Sequence, residues 1–241
     1  MTFDTGGLCV KPAEGMAAMR ADMAGAAACA GAMLALALRD SPAPAAAVLP
    51  LAENAIGAEA YRPGDVLTLL SGRNVEVVDT DAEGRLLLAD ALHYARLAFR
   101  PAALVDLATL TGAAVTALGH HRAALFGNDP PLLAAVAAAG RRWGGGLAVA
   151  GDGSAPRRLA SDIADLRQCA SGRGQPDACH AAAFCKRRWM EAPPPAPAVP
   201  GRIWTWQGRR CGRRRAARRH RFGVRLLEQL VASRFEDPHR L

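Results

Sequence analysis

The sequence contains few aromatic residues, 5% of 241, and its six cysteines form no CxxC pair. A zinc–thiolate site is therefore not expected, and reduced thiols in a cytosol are the simplest interpretation. No run of about 18 purely apolar residues occurs, so no transmembrane helix is predicted. The opening residues, MTFDTGGLCVKP, lack a charged region followed by an apolar one, so they do not have the pattern of a signal peptide.

The formal charge of +8 is concentrated in one place, because residues 201–222 hold nine arginines and no acid. The rest of the chain is close to neutral, which argues against a nucleic-acid-binding domain. This segment could still bind nucleic acid with Trp204 and Trp206 as stacking residues, and we keep that as a minor alternative.

Strand-like and helix-like segments alternate along the chain, which predicts one partial α/β domain over 1–241. The expected architecture is an incomplete three-layer α/β/α fold with a mixed, largely parallel central sheet. Strands are predicted in 45–54, twice in 60–80 around a Ser-Gly turn, and in 101–110. Helices are predicted at 16–39, 83–99, 111–119, 130–143, 159–167, 177–189 and 222–235, and 191–201 is too proline-rich for regular structure.

Four carboxylates stand in settings where a merely solvated acid is not expected: Asp4, Asp22, Asp81 and Glu83. Buried carboxylates are costly unless they are paired or bind a metal. Two divalent cations would balance four negative charges, and oxygen ligands suit Mn²⁺, Mg²⁺ or Zn²⁺.

Two basic residues, Lys11 and Arg85, lie close to these acids in the sequence and could act as electrophiles or anion clamps. An arginine in the first turn of a helix faces the helix dipole unfavourably, so an anion is expected beside Arg85.

Each acid also has a purely structural interpretation, which spacing alone leaves open. Asp4 could make an Asx turn, Asp22 could pair with Arg20 or Lys11, and Asp81 could cap a helix. The adjacent His120 and His121 point in different directions on any regular element, so we interpret them as structural. Cys179 and His180, beside Asp177, are interpreted as core residues.

Five motifs in order resemble the catalytic domain of the leucyl (cytosol) aminopeptidase family: TFDTGG, KP, MRADMAGAAA, NVEVVDTDAEGRLLLADAL and DLATLTGAAVTALGHH. The resemblance covers roughly residues 2–190 and the closing FGVRLLEQL. The segment DTDAEGRL resembles the family's NTDAEGRL, with Asp79 in place of Asn. The resemblance implies a zinc-exopeptidase-like fold and metal-dependent removal of N-terminal residues, leucine-type, from peptides.

Site roles follow from the resemblance, position by position. It implies that Asp4 bridges or flanks two Mn²⁺ or Zn²⁺ ions, that Asp22 and Asp81 each bind one, and that Glu83 binds both. Lys11 would polarise the scissile carbonyl or stabilise the tetrahedral oxyanion. Further positions are implied in the same way: bicarbonate as a proton shuttle at Arg85, and a substrate-lining loop at Thr109, Leu110 and Gly112.

Two departures from the family's pattern modify these expectations. The family has a metal-ligating lysine in a Gly-Lys-Gly stretch just before TFD, and this sequence does not contain it, nor the strands upstream. Where a Trp-x-His-Leu-Asp-Ile-Ala-Gly strand is expected, residues 200–210 read PGRIWTWQGRR. Codons compatible with these residues read Trp-Ala-His-Leu-Asp-Leu-Ala-Gly in a shifted frame, so we predict a frame-shifted segment at 195–221.

The resemblance also implies a cytoplasmic homohexamer. The missing strands count against that assembly here and leave a second hypothesis open, in which the chain is a catalytically inactive fragment of such an enzyme.

Overall fold

The computed structural model describes residues 1–142, 146–149, 159–170, 177–186 and 222–236. Its helices are α1 (Ala13–Met16), α2 (Ala24–Leu38), α3 (Gly84–Phe99), α4 (Ala113–Leu118), α5 (Pro130–Arg142), α6 (Asp177–Lys186) and α7 (Phe222–Arg234), with 3₁₀ turns at Ala17–Ala21 and Thr80–Ala82. Its strands are β1 (Val66–Thr68), β2 (Asn74–Glu76), β3 (Arg122–Leu125), β4 (Gly146–Val149) and β5 (Leu166–Arg167). The predicted segment at 191–201 and the predicted frame shift at 195–221 lie outside these ranges.

The strands form a mixed arrangement, which confirms the α/β class. β2 lies between β1, which is antiparallel to it, and β5, which is parallel. β3 and β4 form a second, parallel pair. The predicted hairpin within 60–80 is confirmed, because β1 and β2 flank a turn in which Gly72 adopts a φ of 79°, a conformation that favours glycine.

The segment 101–110 lies between two apolar clusters but belongs to no hydrogen-bonded strand among the described residues, so that part of its prediction is wrong. Leu104 packs against the cluster around β2 and α3. Its neighbours Ala103 and Val105 pack against the cluster of α5 and α7. This alternation is what an extended chain produces, and the ladder is missing because no described segment pairs with it.

The prediction of one helix at 16–39 is only partly right, because Ala17–Ala21 form a 3₁₀ turn and the α-helix α2 begins only at Ala24. By length and composition the stretch Ala13–Leu38 could cross a membrane. A core helix meets the same criterion, and α2 packs against the main chain of Leu107.

Three further segments differ from their predictions. Residues 159–167 are not helical, because this stretch pairs with β2 instead: the Asp165 and Gln168 amides donate to the Asn74 and Glu76 carbonyl oxygens. Within 45–54 a single bridge, at Asn54, is the regular feature. β3 was not expected, because its sequence RAAL lacks the β-branched residues that mark strands. In these three segments, hydrogen bonds to adjacent segments of the same chain decided the secondary structure, and local propensity did not.

Candidate metal centre

The structure brings three of the four acids together where two loops meet. Ligand-type oxygens of Asp4, Asp81 and Glu83 all lie within 4.8 Å of one another. Asp4 ends the segment that pairs with Asn54, while Asp81 and Glu83 belong to the turn that leads into α3. Asp4 and Glu83 are buried, and Asp81 is partly buried.

Lys11 lies inside this acidic group. Its Nζ is 2.6 Å from Oδ2 of Asp4 and also contacts Oδ1 of Asp81. Burial lowers the pKa of Lys11, but the hydrogen bonds to Asp4 and Asp81 outweigh it, so that the pKa is raised overall. The lysine therefore stays charged and acts as the cation of the group.

Glycines allow the loop carrying Lys11 to approach the acids. Gly6 has a φ of 87°, and a Cβ there would lie 2.5 Å from the Cys9 carbonyl oxygen and 2.9 Å from Oδ1 of Asp81. Any side chain at this position would displace either the loop or the carboxylate, so the TGG turn is needed for the site's shape.

Asn54 connects two of the acids and was missed in the sequence. Its Nδ2 is 2.9 Å from Oδ1 of Asp4, 3.2 Å from Oε2 of Glu83 and 3.0 Å from the carbonyl oxygen of Thr80. The side chain is buried, so these donations fix the orientation of the carboxylates. Its place at the end of the apolar run 45–52, one residue after Glu53, was the signal that could have identified it.

Thr80 fastens the acid-bearing turn to the glycine loop. Its hydroxyl donates to the Gly6 carbonyl oxygen at 2.6 Å and accepts from the Cys9 amide at 2.7 Å. Asp79, which replaces the family's Asn, caps the turn by accepting from the Asp81 amide at 2.9 Å. An acid can fill this capping role as well as an amide can.

The site carries more negative than positive charge. Burial, and next the charge of Asp4, raise the pKa of Glu83 to about 7. Burial also raises the pKa of Asp81 against the opposing effect of Lys11. One lysine does not neutralise these acids. Because Glu83 takes up a proton near neutrality, its negative charge is not balanced by the groups around it, and a bound cation would balance it.

Asp22 stands beside the three-acid group and is not part of it. Thr109 donates from its hydroxyl to Oδ1 of Asp22 at 2.5 Å. Burial raises the pKa of Asp22, and the charges of Asp4 and Lys11 act on it as well. The structure therefore joins the predicted loop residue Thr109 to the predicted ligand Asp22.

The other two loop residues are placed differently. Leu110 packs on Gly84, where a Cβ would meet its Cδ2 at 2.8 Å, next to Glu83. Gly112 precedes α4 and is exposed.

Arg85 has a protein anion as its partner. Its Nη2 donates to Oδ1 of Asp177 at 2.8 Å, and its Nη1 donates to the Gln168 carbonyl oxygen at 3.3 Å. Burial raises the pKa of Asp177, but the charge of Arg85 and a hydrogen bond from Thr111 outweigh it and leave the pKa lowered. The guanidinium is only 2% exposed, and its Nε has no hydrogen-bond partner among the described residues.

Gln168 is a second residue that sequence reasoning missed. It is fully buried, and its Oε1 accepts from the Val78 and Asp79 amides at 2.9 and 3.1 Å. Its Nε2 donates to the Ala82 carbonyl oxygen at 3.1 Å. It therefore holds both ends of the turn that presents Asp81, and because it lies 86 to 90 residues away from these partners in sequence, no local pattern indicates it.

The positions of the histidines agree with the interpretation of them as structural residues. His120 and His121 are exposed and lie outside the acidic group. His180 is buried, and Cys179 packs against the apolar cluster around Phe126, so the interpretation as core residues is confirmed.

Comparison with known proteins identifies the family. Residues 1–196 match the cytosol aminopeptidase family, catalytic domain. A curated relative from Brucella melitensis biotype 1, named "Probable cytosol aminopeptidase", is 42% identical over 238 residues, which cover 98% of this chain and 48% of the relative. A relative of the same name from a Geobacter species is 46% identical over 180 residues, 72% of this chain and 35% of its own length.

Solved structures give the same result. Leucyl aminopeptidase from Trypanosoma cruzi superposes with a TM-score of 0.86 at 35% identity, covering 96% of this chain and 44% of that one. The Trypanosoma brucei enzyme in complex with bestatin gives 0.87 at 33% identity, covering 97% and 44%. This chain spans about half the length of the relatives it matches. The chain belongs to the cytosol aminopeptidase family, through its catalytic domain.

Proposed function

We propose that this chain forms the catalytic centre of a metal-dependent aminopeptidase that releases N-terminal residues from peptides. The observation that carries the proposal is the convergence of Asp4, Asp81 and Glu83 around Lys11. Family membership supplies the reaction class. A relative of 33% identity binds bestatin.

The residues present suit divalent cations. Their donor atoms are carboxylate oxygens, the ligands that hard or borderline ions prefer. The lysine ammonium already occupies a cation's position between Asp4 and Asp81. Asp4, Asp81 and Glu83 would hold the ions, with Asp22 as an outer ligand on the side of Thr109. Bound there, two Mn²⁺ or Zn²⁺ ions would supply an activated water and polarise the attacked carbonyl.

Lys11 would change partners when the ions bind. Once cations neutralise Asp4 and Asp81, the ammonium is free to donate a hydrogen bond from Nζ to the carbonyl oxygen of the substrate. A donor already positioned in a partly buried site stabilises the negative charge that develops on that oxygen. The substrate's amino group would lie toward Asp22, whose carboxylate is oriented by Thr109.

Arg85 would act beside the ions and not as a ligand. We propose that its free Nε donor holds a small anion of bicarbonate type, which moves a proton to the leaving amine. Asp177 competes for the same guanidinium. The anion can bind at Nε only if Asp177 continues to accept a hydrogen bond from Nη2 alone.

Hydrolysis of leucine p-nitroanilide at increasing Mn²⁺ or Zn²⁺, by the chain and by Glu83→Gln, tests this function. We expect metal-dependent release of nitroaniline that the substitution abolishes. A folded chain that binds the metal with no turnover would support the alternative, an inactive member of the family. The minor alternative, nucleic-acid binding through residues 201–222, predicts salt-sensitive DNA binding that deletion of the segment removes.

The proposal places the protein in the cytoplasm, as the family's name indicates, with peptides as substrates; the homohexamer is only what the family resemblance implies. Cross-linking or light scattering of the purified chain tests the assembly.

A further inference from the structure

The protein itself uses only some of the hydrogen-bond donors of Arg85. A guanidinium carries five N–H donors in a rigid plane. Nη2 donates to Asp177 and Nη1 donates to the Gln168 carbonyl oxygen, while Nε has no hydrogen-bond partner among the described residues. The side chain is only 2% exposed, so water does not satisfy the remaining donor freely. A buried guanidinium with a donor left over favours an anion beside it.

The carboxylate of Asp177 already occupies the position that an anion would take at Nη2. Its Oδ1 lies 2.8 Å from Nη2 of Arg85, and the Thr111 hydroxyl donates a hydrogen bond to the same carboxylate. Asp177 is also the first residue of α6, so its charge lies at the positive end of a helix of 10 residues. An arginine, a hydroxyl group and a helix N-terminus therefore converge on one carboxylate, and together they form the donor set of an oxyanion site.

The two partners of this ion pair differ in their exposure to solvent. The side chain of Asp177 is 34% exposed, whereas that of Arg85 is 2% exposed. An anion that reaches Arg85 from the side of Asp177 therefore meets the negative charge of the carboxylate first. Because the Coulomb energy is proportional to charge, a dianion is repelled about twice as strongly as a monoanion at the same distance.

Asp177 also limits how an anion can bind. Arginine binds sulfate, phosphate and carboxylate groups most strongly through two parallel N–H donors. Since Nη2 donates to Asp177, Nε is the guanidinium nitrogen that is left without a partner among the described residues. A small monoanion can bind through this single donor, whereas a dianion loses its second hydrogen bond and meets the greater repulsion.

We propose that Asp177 determines the specificity of the anion site at Arg85, where it admits a small singly charged anion at Nε and excludes doubly charged oxyanions such as sulfate and phosphate. The proposal rests on the anion site proposed above for Arg85. Its test contains no peptide substrate, so a chain without peptidase activity does not count for or against it.

A purely structural role for Asp177 predicts a different result. An acid in the first turn stabilises a helix, and a buried arginine needs an opposite charge. In that case, removing the charge of Asp177 lowers the stability of the protein but leaves the order in which it binds anions unchanged.

The test compares the melting temperatures of the metal-free parent and of Asp177→Asn. Sodium formate is the singly charged probe and sodium sulfate the doubly charged one, each titrated at constant ionic strength set with sodium chloride. In the parent we expect formate to raise the melting temperature at a lower concentration than sulfate does. In Asp177→Asn, whose side chain still accepts from Nη2 but carries no charge, we expect the order to reverse and the midpoint for sulfate to fall at least tenfold.

Two further variants show whether the effect belongs to this ion pair. Asp65→Asn removes a carboxylate from a surface pair with Arg62, whose Nη2 lies 3.0 Å from Oδ1 of Asp65, and it should keep the order of the parent. The double variant Arg85→Gln/Asp177→Asn removes both buried partners together and should lose the response to sulfate.

The order in the parent is measured without any variant, so the proposal stays falsifiable even if Asp177→Asn does not fold. A parent that binds sulfate more tightly than formate would overturn the proposal. So would an order that does not reverse in Asp177→Asn, one that reverses in Asp65→Asn as well, or a sulfate response that persists in the double variant.

Discussion

The side-chain amide of Asn54 lies 2.9 Å from Oδ1 of Asp4, and the same nitrogen lies 3.2 Å from Oε2 of Glu83. One buried residue thus holds two acids that are 79 positions apart in the chain. Substituting a residue that orients metal ligands through hydrogen bonds typically lowers metal affinity about 10- to 100-fold.

Removing this amide should weaken metal binding without removing a ligand. For Asn54→Ala we expect Mn²⁺ affinity, measured by isothermal titration calorimetry, to fall about 10- to 100-fold. Asn74→Ala, at the exposed first residue of β2, is the matched control and should bind as the parent does. If Asn54→Ala binds Mn²⁺ as tightly as the parent does, the acids do not need the Asn54 amide to hold their orientation.

Lys11 should compete with metal for the same carboxylates. We expect Lys11→Met to lower the melting temperature of the metal-free protein, because Asp4 and Asp81 lose their cation. Added Mn²⁺ should raise the melting temperature of the variant by more than it raises that of the parent. Turnover should fall even at saturating metal, since the ammonium would no longer reach the substrate carbonyl. A variant with unchanged kcat would remove Lys11 from the mechanism.

The metal-free protein should become less stable as the pH rises through neutrality. The pKa of Glu83 is raised by burial to about 7, so the fold favours the protonated acid. Its stabilising contribution is complete below the unfolded value of about 4.5, and it is lost as the pH passes about 7, a change of about 3 kcal/mol. Asp22 and Asp81, whose pKa values burial also raises, act in the same direction.

Urea unfolding at about pH 5 and about pH 8 measures this effect. Glu83→Gln should be less sensitive to pH than the parent, because its amide is neutral throughout. If the free energy of unfolding of the parent instead rose between about pH 5 and about pH 8, the excess of buried negative charge inferred for the site would be wrong.

Gly25 should tolerate no side chain. A Cβ there would lie 1.9 Å from the Leu107 carbonyl oxygen, so α2 would have to move off the segment 101–110. We expect Gly25→Ala to cost about 1–3 kcal/mol in urea unfolding despite the better helix propensity of alanine. Gly57→Ala, where a Cβ would meet nothing within 4 Å, is the control and should change little. A stabilised Gly25→Ala would show that the close approach is not required.

The local pattern marked the acids as candidates but left their roles open, and the ligand set came from the family resemblance. The structure brings Asp4, Asp81 and Glu83 together, and the helix Gly84–Phe99 was predicted from its amphipathic spacing. Asn54, Gln168 and Asp177 contribute through contacts with residues far away in sequence, which no local period encodes.

The segment 101–110 shows what its local sequence could not predict, namely whether it would join a hydrogen-bonded sheet. Its apolar residues indicate a buried extended chain, and the structure buries Asp106 and Leu107 but leaves most of the segment partly buried. Whether an extended chain becomes a hydrogen-bonded strand depends on what lies beside it, and no described segment pairs with 101–110. The segment 159–167 differs for the same reason, because pairing with β2 outweighs its helix-like composition.

The central claim is that Asp4, Asp81 and Glu83 hold catalytic metal. The most direct measurement is hydrolysis of leucine p-nitroanilide by this chain as Mn²⁺ is titrated, with Glu83→Gln alongside and Mn²⁺ binding recorded by calorimetry for both proteins. We predict that activity in the parent saturates with metal occupancy, and that the variant loses both binding and turnover. Metal-dependent activity that survives in Glu83→Gln, or a parent that binds no Mn²⁺, would contradict the claim.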